Sequence, residues 1–264
     1  MHQMDLTEGV IWKKLILYAG PVVLSSLLQS AYSITDLIVA GWFIGKDGIS
    51  AINNASQVMM ILTQIIMGIT TGGNILMGQY FGSKDRSNRV KTNRTMFGFA
   101  LSAGALLSVL LFLLSRPILA ALRAPALEEA TAYLQVCSAG LIAIFGYNAL
   151  AAMLRSVGNS KQPFYCVAVT AGCNIALDCL FMGGFRWGVR GAALATVLAQ
   201  WASFVVCLVY VLRHRDLFGL VRRQISFHKD KMVQILKLGI PCAVQMTVVG
   251  LSWLAMTFLI TAYG

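Results

Sequence analysis

Long apolar stretches separated by short polar ones dominate the chain. Runs free or nearly free of charge lie between Lys14 and Lys46, Asp47 and Lys84, Arg94 and Arg116, Glu129 and Arg155, Lys161 and Arg186, Arg190 and Arg213, and from Lys237 to Gly264. Each meets or exceeds the roughly 20 residues that carry an α-helix across a hydrocarbon core. None shows the period-two alternation of a barrel strand. The pattern predicts an all-α membrane protein, a polytopic bundle with seven transmembrane helices. The first run is too long for the apolar core of a signal peptide.

Composition agrees: the 264 residues are 58% hydrophobic and 12% charged, against roughly a quarter charged in soluble domains. A net charge of +11 would suggest a nucleic-acid partner in a soluble protein. Here the basic residues lie between apolar runs, so the partner they imply is the bilayer, not nucleic acid. With a cytoplasmic N-terminus, the inner segments hold 16 Lys and Arg and the outer loops 5 (Lys46, Arg116, Arg123, Arg186 and Arg190), as the positive-inside rule requires. Cys137, Cys166, Cys173, Cys179, Cys207 and Cys242 all fall inside apolar runs. They read as packing residues, with no disulfide or metal framework.

Four segments follow: a cytoplasmic N-terminus (1–14), a six-helix lobe (15–212), a basic cytoplasmic connection (213–237) and the first helix of a second lobe (238–264). The connection is partly amphipathic and reads either as an interfacial helix on anionic lipid or as a solvated linker. Pro21 in "YAGPVVLSSLLQS" and Pro241 in "LGIPCAVQMTVVG" occupy equal positions in the two halves, the mark of a duplicated transporter. The second lobe stops early, so the chain reads as a fragment.

Polar residues inside the runs form stripes. Ser25, Gln29, Ser33 and Asp36 share one face of the first helix; Thr170, Asn174 and Asp178 share one of the fifth; Thr196, Gln200 and Ser203 share one of the sixth. Hydroxyls and amides alone would read as helix-packing glue. Carboxylates are different, since an Asp at a helix centre costs roughly 2.5 to 3.5 kcal/mol even on translocon scales. Asp36 lies roughly 33 Å and Asp178 roughly 24 Å along their helices from the cytoplasmic ends. Thr196 lies within two turns of its outer end, so all three converge on the outer half of the bilayer. Burial and a like-charged neighbour both oppose a second negative charge, so a close Asp36 and Asp178 pair would keep one proton. The same carboxylates with oxygens of Asn174 and Thr196 would equally suit Na⁺. Both ions stay open.

Several segments resemble the multidrug and toxic compound extrusion (MATE) transporters, in their DinF-like branch. The resemblance rests on "GPVVLSSLLQSAYSITDLIVAG", "GQYFGSKDRSNRV", "LRSVGNSKQP", "NIALD" and "GVRGAALATVLAQ", in that order and spacing across nearly the whole chain. It implies two six-helix lobes, twelve helices in all, around a central cavity that opens alternately to each side. It implies an N-lobe ion site at Asp36, Asn174, Asp178 and Thr196, and a bend of the first helix at Pro21 on protonation. The seventh run lacks the Glu that another branch carries there, which leaves coupling to the N-lobe site.

The reading is therefore a secondary active exporter, not an enzyme, in the cell membrane. H⁺ or Na⁺ entry drives extrusion of amphipathic, often cationic, small molecules; no cofactor is needed, and the full-length protein is a monomer. Gln29, Tyr32, Gln57, Gln64 and Gln200 are candidate cavity-lining residues, with Gln57, Gln64 and Thr71 at heptad spacing. The 12 Met and 13 Phe suit either a soft binding surface or plain packing. A lipid-linked-precursor or polysaccharide flippase of the same superfamily is the nearest rival, but it calls for basic residues in the cavity, and the apolar runs carry none. An intramembrane aspartyl protease would use the two Asp as a dyad, yet Asp178 sits in "IALD" and not in Gly-x-Gly-Asp. A non-transporting half-size protein that pairs with a partner chain rests only on the early stop.

Overall fold

The computed structural model describes residues 11–122, 124, 126–218 and 227–263, and every regular element among them is helical. The helical stretch Ile11–Gly82 breaks at Gly45 (φ 78°, ψ −170°), a backbone region that a Cβ disfavours. The break separates α1 (Trp12–Gly45) from α2 (Gly48–Gly82). After α3 (Arg86–Ala121) come α4 (Leu127–Ser138) and α5 (Leu141–Ser156), which bend by 47° into one span. Then follow α6 (Lys161–Gly184), α7 (Gly188–Arg213), the short α8 (Arg215–Phe218) and α9 (Lys229–Tyr263). Six helices, or seven spans with the bent pair counted as one, are long and apolar enough to cross a membrane. The all-α polytopic architecture predicted above is the one observed, and the chain is a multi-pass membrane protein. Residues 1–10 of the expected N-terminal segment and 219–226 of the expected connection lie outside the described residues.

The bundle is built around α5, whose residues Ala149 to Leu154 are all fully buried. It packs against α1, α3, α6 and α7. Large side chains turned outward, among them Leu27, Ile34, Leu106, Leu113, Val205 and Val249, give the rim the apolar surface that lipid requires. Where helices approach most closely the sequence supplies small residues. A Cβ on Gly68 would collide with the backbone of Ala243, and one on Gly72 with that of Gly239. Two small-xxx-small pairs thus seat α9 directly on α2.

Polar contacts pin the chain between α7 and α9 onto the bundle. Arg89 Nη2 donates to the Leu217 carbonyl (3.2 Å) and Asn93 Nδ2 to that of Phe218 (2.8 Å), while the Phe218 ring is fully buried. The backbone N–H of His228 donates to Thr95 Oγ1 (3.1 Å). Lys231 Nζ donates to the Tyr80 hydroxyl (2.9 Å), which lies 3.1 Å from Gln234 Oε1. At the start of α3, Asp85 caps the helix by accepting from the Asn88 backbone (3.0 Å) and side chain (2.7 Å). Those two donors hold its carboxyl below the usual range.

Candidate functional site

Asp178 is the last residue of the α-helical part of α6, immediately before a π-helical stretch, Cys179–Gly184. Such wide turns are rare and frequently sit at functional positions. Its carboxyl is fully buried and within hydrogen-bonding reach of Asp36 on α1. Asn174, one turn earlier on α6, is 1% exposed. Asp36 Oδ1, both carboxyl oxygens of Asp178 and both amide atoms of Asn174 are buried without a hydrogen-bond partner. Buried polar atoms almost always find partners, and each one left without costs about 1–3 kcal/mol. Five in one place mark a site built for something the chain does not itself supply. Two carboxylates within reach of each other, one fully buried and one half-buried, cannot both keep their charge uncompensated, so a shared proton or a small cation fits the donor set.

Thr196 is half-buried on α7, and its hydroxyl donates to the Ala192 carbonyl (3.0 Å). No hydrogen bond joins it to Asp36, Asn174 or Asp178. The structure thus brings three of the four expected ion-site residues together and leaves the fourth bonded within its own helix. Two residues that the sequence did not single out complete the walls. Tyr133 and Cys137, both buried on α4, lie within electrostatic reach of Asp36, and Tyr133 meets Ser56 of α2.

One turn before Asp36, Tyr32 feels both carboxylates and also lines a cavity of about 360 Å³ between α1, α2, α5, α6 and α7. Gln29, Tyr32 and Gln200 line this cavity as expected, together with Thr71, Asn74, Asn148 and Arg155. Gln57 and Gln64 are half-buried on α2 and do not line it. Heptad spacing keeps residues 57, 64 and 71 within about 40° of one another on a straight helix, yet of the three only Thr71 lines the cavity. A correction concerns charge: the cavity does hold a basic residue. Arg155 belongs to the last turn of α5, whereas charge-bounded runs had put it in a loop. Elsewhere the stripes act as glue, since Ser203 Oγ donates across helices to the Cys166 carbonyl (3.1 Å). Pro21 lies within α1, and its carbonyl accepts from Ser25 Oγ (2.7 Å). No cluster of three or more His, Cys, Asp or Glu that could hold a metal occurs among the described residues.

The MatE family model matches residues 21–180, well over half of the chain and the segment that carries both carboxylates. The chain belongs to the MatE family. Two curated relatives are the probable multidrug resistance proteins YoeA and YpnP of Bacillus subtilis strain 168. YoeA is 29% identical over 96% of this chain and 57% of its own length; YpnP is 29% identical over 100% and 59%. The chain therefore spans a little over half the length of these MatE relatives. Among solved structures, a MOP superfamily transporter from Pyrococcus furiosus superposes with a TM-score of 0.86 at 21% identity. That match covers 93% of this chain and 55% of the other, and it establishes that the fold is shared.

Proposed function

We propose that the chain is the ion-coupling lobe of a secondary active exporter in the cell membrane, in which H⁺ or Na⁺ entering at Asp36 and Asp178 drives extrusion of amphipathic small molecules. The observation that carries this reading is the pair of fully buried Asp178 and half-buried Asp36, which with Asn174 leaves five buried polar atoms without a partner, linked through Tyr32 to a cavity. The multidrug resistance names of YoeA and YpnP support the transport class. Asn174 supplies a further oxygen to a bound cation, and Thr196 joins only after its side chain turns. Bending at Pro21 is the motion by which α1 would report ion binding. The test is dye efflux from cells that express the full-length protein, under an imposed pH or Na⁺ gradient. Asp36→Asn and Asp178→Asn should each abolish driven efflux at normal expression, and near-normal efflux from either would remove that residue from the coupling site.

The orientation belongs to the same proposal, with the N-terminus and the 213–237 connection in the cytoplasm, because the basic residues divide 16 to 5 that way. A cysteine placed at Ser226 in a background without native cysteines should resist an impermeant thiol reagent added outside intact cells. Labelling from outside would invert the topology. Arg155 gives the flippase rival its one foothold, yet a single guanidinium offers little to the several charges of a pyrophosphate.

A further inference from the structure

We propose that the cavity between α1, α2, α5, α6 and α7 binds amphipathic molecules through an acidic group, with Arg155 as the counter-charge. The inference deepens the exporter reading above and rests on it for the statement that this cavity carries substrate. Eighteen residues line the cavity, and Arg155 alone among them carries a charge at neutral pH. Its guanidinium makes no ion pair and no hydrogen bond with any described residue; its backbone carbonyl accepts from the Tyr18 hydroxyl (3.2 Å) and the Gly158 N–H (3.0 Å). A guanidinium on a cavity wall without a protein partner is a ready counter-charge for an anion.

The hydrogen-bonding balance of the walls points the same way. Ser25, Ser26, Thr63, Thr71 and Thr170 all donate to carbonyls of their own preceding turns, and Asn148 Nδ2 donates to the Ile144 carbonyl. Tyr147 donates to the Pro163 carbonyl. Those donors are spent. Free to meet a ligand are the Arg155 guanidinium and the side-chain amides of Gln29, Asn74 and Gln200, which bond to no other described residue. At the start of α6, Ser160 lines the cavity, while the Gln162 N–H is already donated to Asn159 Oδ1 (3.2 Å) and Pro163 has none to offer. A guanidinium and three amides, with no carboxylate on any wall, form a pocket for a carboxylate, sulfonate or phosphate attached to an apolar body.

The test compares two probes that share one fluorophore: dansylate, an anion, and a dansyl amide with a trimethylammonium tail, a cation. Binding is followed by fluorescence on the purified chain in nanodiscs of phosphatidylcholine, without any ion gradient. A failure of ion-driven efflux therefore leaves this measurement intact, and the reverse also holds. Dansylate should bind more tightly than the cation. Arg155→Gln should weaken dansylate by about tenfold or more, the scale of a hydrogen bond to a charged group, while Arg155→Lys should recover much of the loss. Asn74→Asp provides a second route, because it adds a negative charge near Arg155 without removing the guanidinium. Helix α2 runs against the end of α5 there, with a Cβ on Gly78 reaching to 3.9 Å from the Ser156 carbonyl. That variant should also weaken dansylate and favour the cation. Nanodiscs doped with phosphatidylglycerol separate two sources of the acid. Competition that disappears in Arg155→Gln assigns the pocket to a lipid phosphate; absence of competition assigns it to free organic anions. Preference for the cation in the unsubstituted chain, or unchanged dansylate binding in both variants, overturns the proposal.

Discussion

The carboxylate pair and the cavity share one side chain, Tyr32, yet they are built on opposite principles. Around Asp36 and Asp178 the buried atoms left without partners are mostly acceptors. Around Arg155 the hydroxyl donors are spent inside their own helices, and what remains is a cation and amides. One region asks for positive charge, the other for negative. An exporter whose ion and substrate were both cations could couple them by competition for a shared carboxylate. These two regions favour different charges, so competition would not serve. On the exporter reading proposed above, coupling would pass through a change in α1, the helix that carries Asp36, Tyr32 and Gln29 together, with the ion favouring one arrangement of α1 over another.

The sharpest way to break this contrast is to remove one charge at each end. Asp178→Asn should reduce ion-driven efflux to background for every substrate, since an amide keeps the volume but can neither take up a proton nor balance a cation. Arg155→Gln should lower efflux of acidic substrates selectively and spare cationic ones. Efflux assays with the paired dansyl probes read both. Equal losses for both probes in Arg155→Gln would place Arg155 in the general scaffold of the lobe.

A smaller effect separates the two candidate ions. Asn174 has both amide atoms free beside the pair, while the Thr196 hydroxyl is engaged with Ala192. If Na⁺ is the coupling ion, Asn174→Ala should raise the Na⁺ needed for half-maximal efflux severalfold, and Thr196→Ala should do so less. If H⁺ is, the pH profile should shift in Asn174→Ala with no Na⁺ requirement appearing. Proteoliposomes with one gradient imposed at a time decide between them, and an equal Na⁺ effect in both variants would mean that Thr196 turns into the site.

Much of this was legible in the chain, for identifiable reasons. Helix count followed from the length of the charge-free runs, and the meeting of Asp36 with Asp178 from helical spacing and depth. The bend between α4 and α5 was not, because Gly140 inside an apolar run gives no break signal. Tyr133 and Cys137 were missed because an aromatic ring and a thiol on an apolar face read as packing. Arg155 was misplaced for a geometric reason. Side chains on a helix point back toward its N-terminus, so an Arg in the last turn of α5 can line the cavity even though its Cα marks the end of the helix.

Pro21→Ala probes the link between the two regions and should act more mildly than loss of either charge. It restores a backbone donor within α1 and stiffens it. Driven efflux should slow severalfold, and binding of dansylate in the absence of a gradient should change less than efflux does. An unaltered efflux rate would mean that α1 does not need to bend there.

The smallest expected effect belongs to Ser203, which sets the scale for polar residues that only hold helices together. Its Oγ donates to the Cys166 carbonyl from a position 1% exposed, outside the residues that line the cavity. Hydrogen bonds between membrane helices average about 0.6 kcal/mol in double-mutant cycles. Ser203→Ala should therefore lower the unfolding temperature of the chain in detergent by only a few degrees. It should leave the Na⁺ or pH dependence of efflux, and the preference between the dansyl probes, where they were. A shift in ion dependence comparable to that of Asn174→Ala would contradict this, and would extend the ion path along the α7 stripe of Thr196, Gln200 and Ser203.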